Sequence, residues 1–301
     1  MRDHPKFVRI LSALIAGCLA SLLPVPLGGS AETWASPAAA GTERASHRLQ
    51  DGAAASPKAK GRSRKLAVII DDLGNHMGGT DDIIAMPVKL TVAVMPFLKT
   101  SQEDARRAHE HGHDVIVHLP MEPKQGQPEW LGPGAILSGM TDAEIRKRVD
   151  EAIDQVPYAA GINNHMGSKV TGDERVMSII FDVCRERGLF FVDSKTNYWS
   201  VIPRLSREKG LPRLENDIFL DDVNSAEHIS GQLRKVLELL NERESCVTIG
   251  HVGIQGQKTA AVLKKYIPLL QAEGVEFIGI TDLAREQISP GVRPGPGFTL
   301  P

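Results

Sequence analysis

Leu66-Ala67-Val68-Ile69-Ile70-Asp71-Asp72-Leu73-Gly74 is a short apolar, β-branched run that ends on two carboxylates and a glycine. It reads as a strand whose last residues reach a polar surface. The same grammar recurs downstream. Strands are expected at Leu66–Ile70, Leu90–Met95, Asp114–Val117, Ala159–Asn163, Leu189–Val192, Ile218–Leu220, Cys246–Gly250 and Glu276–Ile280, with longer amphipathic stretches between them. That alternation predicts βα units and a parallel sheet. Thr100 with Glu103, Thr141 with Glu144 and Thr171 with Glu174 match the capping box at helix starts, and Gly112, Gly188 and Gly274 stand where helices should stop. Up to eight such units over residues 65–288 fit a TIM-like (β/α) barrel, whose usual size is about 250 residues. A doubly wound open sheet is the alternative, because strand order is not readable from one sequence.

In either fold, reactive side chains belong at the C-terminal ends of strands, where the loops converge. The residues at those ends are Asp71 and Asp72, His118, Asn164 and His165, Asp193, Asp221 and Asp222, His251, and Thr281 and Asp282. Imidazoles and carboxylates without cysteine are the donor set of catalytic zinc, or of another divalent cation that accepts nitrogen and oxygen. Asp72, His118 and His165 would give three ligands and leave a position open for water. Each residue has a plainer reading. A lone strand-end histidine is often just a half-buried polar group, and Asp193, Asp221, Asp222 and Asp282 are placed to cap the helices that follow. The coincidence of His118, His165 and His251 after three different strands argues for a shared site. The adjacent Asp71 and Asp72 should point to opposite sides of the sheet, so register decides which of them meets a metal.

These motifs carry a resemblance. Val68-Ile69-Ile70-Asp71-Asp72 resembles the first motif of the NodB-like carbohydrate esterases, the polysaccharide deacetylase superfamily. The run of landmarks is closer to its divergent, YibQ-like branch: Ile69 to Gly74, Val117 to Pro123, Asn163 to Ser168, Phe191 to Thr196, and Ile249 to His251. The resemblance implies a metal-dependent hydrolase on a distorted, TIM-like (β/α) barrel of seven or eight parallel strands, with Asp71 as general base, Asp72 as a metal ligand, His251 as general acid and Asp193 orienting a partner. His118 matches the first histidine of the family's His-x-x-x-His pair. The second position holds Glu122, so that ligand is either a carboxylate or is supplied by His165. Glu122 is then a ligand or a hydrogen-bond partner of His118, and Asn164 is expected beside it, either touching substrate or supporting the ligands. The Arg-x-Pro element of the deacetylases is replaced by Asn164-His165-Met166-Gly167.

The rest of the 301 residues bounds the setting. Arg2, Lys6 and Arg9 precede an apolar run from Ile10 to Leu27 and the small residues Gly28 to Ala31, the layout of a signal peptide over residues 1–31. A linker, 32–64, and a tail, 289–301, are rich in small residues and proline and too poor in large apolar groups to pack. Export to the periplasm or cell envelope is therefore expected. Lipid anchoring through Cys18 and a membrane anchor formed by the N-terminal segment are the lesser alternatives. Lys+Arg 35 against Asp+Glu 37 gives a net charge of -2, so nothing draws the chain to nucleic acid. The expected activity is deacetylation of N-acetylated amino sugars in an envelope polysaccharide or peptidoglycan-type glycan, with zinc the expected metal. The alternatives are an inactive glycan-binding or scaffold protein of an envelope complex and, less favoured, a phosphoesterase.

Overall fold

A computed structural model describes residues 63–288. The expected signal peptide, the tail and nearly all of the linker lie outside the described residues. The strands are β1 (Arg64–Leu73), β2 (Thr91–Val94), β3 (Asp114–Met121), β4 (Ala159–Met166), β5 (Phe190–Asp193), β6 (Leu214–Glu215), β7 (Ile218–Phe219), β8 (Ser245–His251) and β9 (Val275–Ile278). The helices are α1 (Thr80–Ile84), α2 (Ser101–Glu110), α3 (Asp142–Asp154), α4 (Glu174–Glu186), α5 (Ile202–Lys209), α6 (Ala226–Glu242), α7 (Gly256–Ala272) and α8 (Ile280–Gln287). All strand pairs are parallel, in the order β6-β5-β4-β3-β2-β1-β8-β7, with β9 added on β1.

The two ends of that order are one piece of chain. Only Asn216 and Asp217 separate β6 from β7, so a single segment pairs with β5 through Leu214 and Glu215 and with β8 through Ile218 and Phe219. The parallel sheet thus curls round on itself as a distorted barrel, the form that the family resemblance implies. The eighth expected strand differs in place. β1 is long enough to hold two partners on one edge: β9 pairs with Arg64–Ala67 and β2 with Ile69–Leu73. The end of β9 therefore stops well short of the mouth. Thr281 and Asp282 lie in the first turn of α8, where Asp282 accepts from Gly279 N and from Lys89.

Two apolar layers follow from strand alternation. Ala67, Ile69, Ala93, Ile116, Phe190, Val192, Val247 and Ile249 fill the barrel with Ile280, Leu283 and Ala284 of α8. Leu66, Val68, Ile70, Val92, Val115, Val117 and Ile162 face outward into the larger core shared with the helices. Gly161 is required by this filling, since a Cβ there would stand 2.3 Å from the Phe190 ring. Along the inward face, Ala67-Ile69 leads to Asp71, Ile116 to His118, Gly161 to Asn163, and Val247-Ile249 to His251. Polar groups thus top an apolar plug.

One of the three expected capping boxes forms: Thr141 and Glu144 bond reciprocally at α3. At α4 the cap is Asp173, and the Thr171 hydroxyl donates instead to Gly167 O. The Thr100 hydroxyl donates to Asp104 and accepts from His76 N, which ties the start of α2 to the loop after β1. Gly112, Gly188 and Gly274 have φ of 83°, 71° and 83° just past α2, α4 and α7, the left-handed turn that ends a helix without a Cβ penalty. Cys184 and Cys246 are buried free thiols. Among the described residues no helix is long and apolar enough to cross a membrane.

Candidate functional site

β3 and β4 run past their expected ends to Met121 and Met166, because they pair along their whole length, His118 with Asn163 and Pro120 with His165. This register stands His118, Asn163 and His165 together on the mouth side. On β1 the ladder to β2 slips between Ile70 and Leu73. Asp72 sits within that bulge at φ 72°, a left-handed conformation that Asp tolerates better than most residues but still at a cost. Simple alternation would send Asp72 outward; the bulge returns it to the side of Asp71. Met166, the last residue of β4, and Phe97 and Lys195, just beyond β2 and β5, also have positive φ, so backbone strain is concentrated at this end of the barrel.

Asp72 Oδ1 lies 3.3 Å from His118 Nε2 and 3.1 Å from His165 Nδ1, and the two ring nitrogens are 3.1 Å apart. The partners on the far side of each ring fix the tautomers. Asn163 Nδ2 donates to Asp71 Oδ1 at 2.8 Å, so its Oδ1 must accept from His118 Nδ1, also at 2.8 Å. His165 Nε2 donates to the Trp130 carbonyl at 3.1 Å. With both rings neutral, Nε2 of His118 and Nδ1 of His165 are bare lone pairs facing a carboxylate oxygen. Asp72 Oδ1 is buried with no hydrogen-bond partner. Such a triangle is repulsive until a positive charge enters it. Tetrahedral coordination at ~2.0–2.2 Å would set donor atoms about 3.3–3.6 Å apart, a few tenths of an ångström wider than the spacing here. The three residues therefore fit a divalent metal, and among the described residues they are the cluster placed to hold one.

The protonation tendencies say the same. Burial pushes Asp72 upward, but positive charge on His118 and His165, whose ring nitrogens facing it become donors when protonated, outweighs burial and holds the carboxyl well below the usual carboxylate range. Burial lowers His118, yet Asp71 and Asp72 bring its pKa above the ordinary value. The pocket attracts a cation, whether proton or metal.

Asp71 is buried beside this triangle, and burial raises its pKa despite the opposing pull of His118 and His251. His251 is its register partner on β8, so both side chains rise on the same face. The His251 ring donates from Nδ1 to Asp221 Oδ1 at 2.7 Å, and Asp221 Oδ2 takes His251 N at 2.8 Å and Thr259 Oγ1 at 2.6 Å. Burial works to lower the His251 pKa, but the Asp221 bond and charge prevail and lift it to about 10.

Three expected roles change. Asp221, not Asp193, is the carboxylate that holds His251; Asp193 accepts from Lys195 N within its own loop, and burial raises its pKa. Alternation explains this, since Val192 faces inward and Asp193 does not. Glu122 is neither a ligand nor a partner of His118. Its Oε2 takes both Ser138 N and Oγ at 2.7 Å and its Oε1 takes Lys169 Nζ at 2.7 Å, which locks the loops after β3 and β4 together. Asn164 likewise braces the mouth, accepting from Ser194 N and donating to Met166 O and Thr196 Oγ1. The residue the sequence reading missed is Asn163. What sets it level with His118 is the β3–β4 register, which the sequence does not reveal.

The sequence matches the family described as divergent polysaccharide deacetylase over residues 68–284. It is 33% identical to an uncharacterized protein of Haemophilus influenzae over 223 residues, 74% of this chain and 78% of that one. It is 35% identical over 187 residues to the YibQ protein of Escherichia coli, covering 62% of this chain and 58% of that one. Its fold is similar to the crystal structure of an uncharacterized protein from Agrobacterium tumefaciens, with a TM-score of 0.68 at 19% identity over 75% of this chain and 92% of that one.

Proposed function

The chain belongs to the divergent polysaccharide deacetylase family, and we propose that it hydrolyses N-acetyl groups on amino sugars of an envelope glycan with the aid of a divalent metal, zinc by its donor set. The observation that carries this reading is the unpartnered Asp72 Oδ1 facing the bare nitrogens of His118 and His165, beside one carboxylate suited to act as a base and one imidazolium suited to act as an acid. Zinc held by those three residues would supply Lewis acidity toward an acyl carbonyl and toward water.

The protein's own groups account for the proton traffic. Asp71 takes the proton of the attacking water; burial raises its pKa toward the working range of a general base. Asn163 holds Asp71 Oδ1, which leaves Oδ2 for that proton. His251, kept charged at neutral pH by Asp221, delivers a proton from Nε2 to the departing amine. The apolar plug beneath keeps bulk water from entering from below and strengthens each of these interactions.

The proposed site of action is the periplasm or envelope, a reading that rests on the basic, apolar and small-residue order of residues 1–31. N-terminal sequencing of protein from the envelope fraction is expected to begin near Glu32; an intact Met1 or a modified Cys18 would redirect it. The activity is tested by metal content of the purified chain together with acetate release from N-acetylated glucosamine oligomers. Stoichiometric metal and release are expected. Metal without release would assign the chain to glycan binding without turnover.

A further inference from the structure

We propose that Asp104 of α2 is a positioning residue for Asp72: its buried carboxylate holds the chain just past the β1 bulge and so keeps the Asp72 side chain turned into the mouth; this rests on the metal site described above. The need for such a hold follows from the site itself. Before a cation arrives, Asp72 Oδ1 faces the bare nitrogens of His118 and His165 at 3.3 and 3.1 Å and has no hydrogen-bond partner. Repulsion and a left-handed φ of 72° both favour letting the residue swing back. Something outside the triangle must keep it in place.

Two clamps flank Asp72. On its N-terminal side β1 stays in register with β8 as far as Asp71 and His251, and Val252 N donates to Asp71 O at 3.1 Å. On its C-terminal side the chain is bound to the loop after β2 and the start of α2. Met95 N donates to Leu73 O at 2.9 Å, and Thr100 N donates to Gly74 O at 2.7 Å. Gly74 is pressed so closely there that a Cβ would stand 2.9 Å from Met95 O. Ile70 pairs with Val92 and Leu73 with Val94, so β1 takes three steps where β2 takes two. The surplus residue falls between the clamps, and Asp72 absorbs it.

Asp104 is the side chain that fastens the second clamp. It is 2% exposed, and its Oδ2 accepts from Gly74 N at 3.0 Å and from Thr100 Oγ1 at 2.8 Å. Thr100 Oγ1 in turn accepts from His76 N at 3.2 Å, so one carboxylate oxygen secures the loop after β1 at two points. A carboxylate is costly to bury unless it is bonded and compensated, and its place in the first turn of α2 with Arg107 3.8 Å from Oδ1 lessens that cost. Asp104 acts through the backbone of Gly74, and so it orients the donor without being one.

Calorimetric zinc titration and denaturant unfolding of the full chain test this. Asp104→Ala should weaken zinc binding by about tenfold or more, whereas Asp104→Asn, which retains an acceptor for Gly74 N and Thr100 Oγ1, should restore most of the affinity. Asp114→Ala is the control for lost stability alone. That carboxylate accepts from Thr281 N at 2.8 Å and pairs with Lys89 at the opposite end of the barrel, and its loss should leave zinc affinity within about twofold. A metal-free measurement reads the bulge itself. Asp72→Gly should resist denaturant better than Asp72→Ala, and in the Asp104→Ala background that advantage should fall by roughly half or more. If Asp104→Ala does not fold, Thr100→Val, which loses only the hydroxyl, takes its place with an expected loss of about threefold in zinc affinity. Unchanged zinc affinity in Asp104→Ala, an equal loss in Asp114→Ala, or an undiminished glycine advantage overturns the positioning role and leaves the metal site standing. Absence of zinc binding in the unsubstituted chain removes the metal site instead, and the metal-free comparison at Asp72 then decides whether Asp104 holds the bulge.

Discussion

The barrel mouth holds two pairs of adjacent aspartates, Asp71–Asp72 at the end of β1 and Asp221–Asp222 just after β7, and they are used in opposite ways. After β7 the pair divides as alternation dictates: Asp221 is buried under His251 and Thr259, while Asp222 turns outward to His228 Nε2 at 2.6 Å. At β1 the bulge and the left-handed φ of Asp72 bring both carboxylates to the same cavity. Two carboxylates in one buried place repel, and the neighbouring histidines and amide resolve the conflict by giving each a different task. The strain at Asp72 has no counterpart at Asp222, which is not among the residues with positive φ. A strained backbone marks the pair at the candidate metal site; a relaxed one marks the pair that orients an imidazole.

The sharpest way to break this contrast is to remove the outer member of each pair. Asp72→Asn deletes a direct donor and should weaken zinc affinity by more than the ~100-fold that marks the upper end for supporting residues, whereas Asp222→Asn should leave it within about twofold. Calorimetric zinc titration of both variants reads this directly. A wild-type zinc affinity in Asp72→Asn would remove the metal site from the mouth.

The inner members are compared through protons. Asp221→Asn keeps a side chain that can bond His251 but loses the charge that raises its pKa to about 10. NMR titration of the His251 ring should show that pKa falling by several units, and acetate release at pH 8 should fall by about 100-fold, the lower range for loss of a general acid. The linkage has a definite sign. A histidine whose folded pKa is raised stabilises the fold fully below its unfolded value near 6.5, and that stabilisation is lost as pH rises through about 10. Unfolding free energy of the unsubstituted chain should therefore decline between those values, and Asp221→Asn should flatten the decline.

Strain offers a finer comparison. At φ 72° glycine carries no Cβ penalty, so metal-free Asp72→Gly should be about 1 kcal/mol more stable to denaturant than metal-free Asp72→Ala. The same pair of substitutions at Asp222 should lack this gain. Equal stability of the two Asp72 variants would mean that the bulge is not strained.

Much of this arrangement was legible beforehand, for physical reasons. Apolar runs such as Leu66–Ile70 and Cys246–Gly250 read as strands because few other structures bury every residue of a short β-branched segment. Asp71, Asp72, His118, His165 and His251 were found because parallel topology puts strand ends in one place. What escaped was whatever depends on register or on one dihedral angle. Asn163 was hidden inside a strand expected to end there, the role of Asp221 depended on which way Asp193 faces, and the turn of Asp72 depended on a bulge that no propensity announces. Thr100 and Thr171 match the capping pattern, but the Thr100 hydroxyl bonds Asp104 of α2 and His76 N, and the Thr171 hydroxyl bonds Gly167 O. A local motif competes with every neighbour that the fold brings near.

Glu122 gives the smallest effect and the most direct check on where the metal site ends. It stands at the position of the family's second histidine, and a ligand role was the natural expectation. The structure instead commits both of its oxygens to Ser138 and Lys169, and these bonds overcome partial burial to lower its pKa to about 2. Glu122→Gln keeps an acceptor for Ser138 and loses only the ion pair with Lys169, whose side chain is 47% exposed. A pair so open to solvent contributes roughly 0.2–1 kcal/mol, less at high salt. The variant should therefore bind zinc as the unsubstituted chain does and lose less than about 1 kcal/mol of stability at neutral pH. Because a depressed carboxylate contributes stability above its unfolded pKa near 4.5 and loses it as pH falls through about 2, the difference between the two proteins should vanish in strong acid. A tenfold loss of zinc affinity in Glu122→Gln would show that the brace between the loops after β3 and β4 sets the position of His165, and the metal site would then extend to the rim.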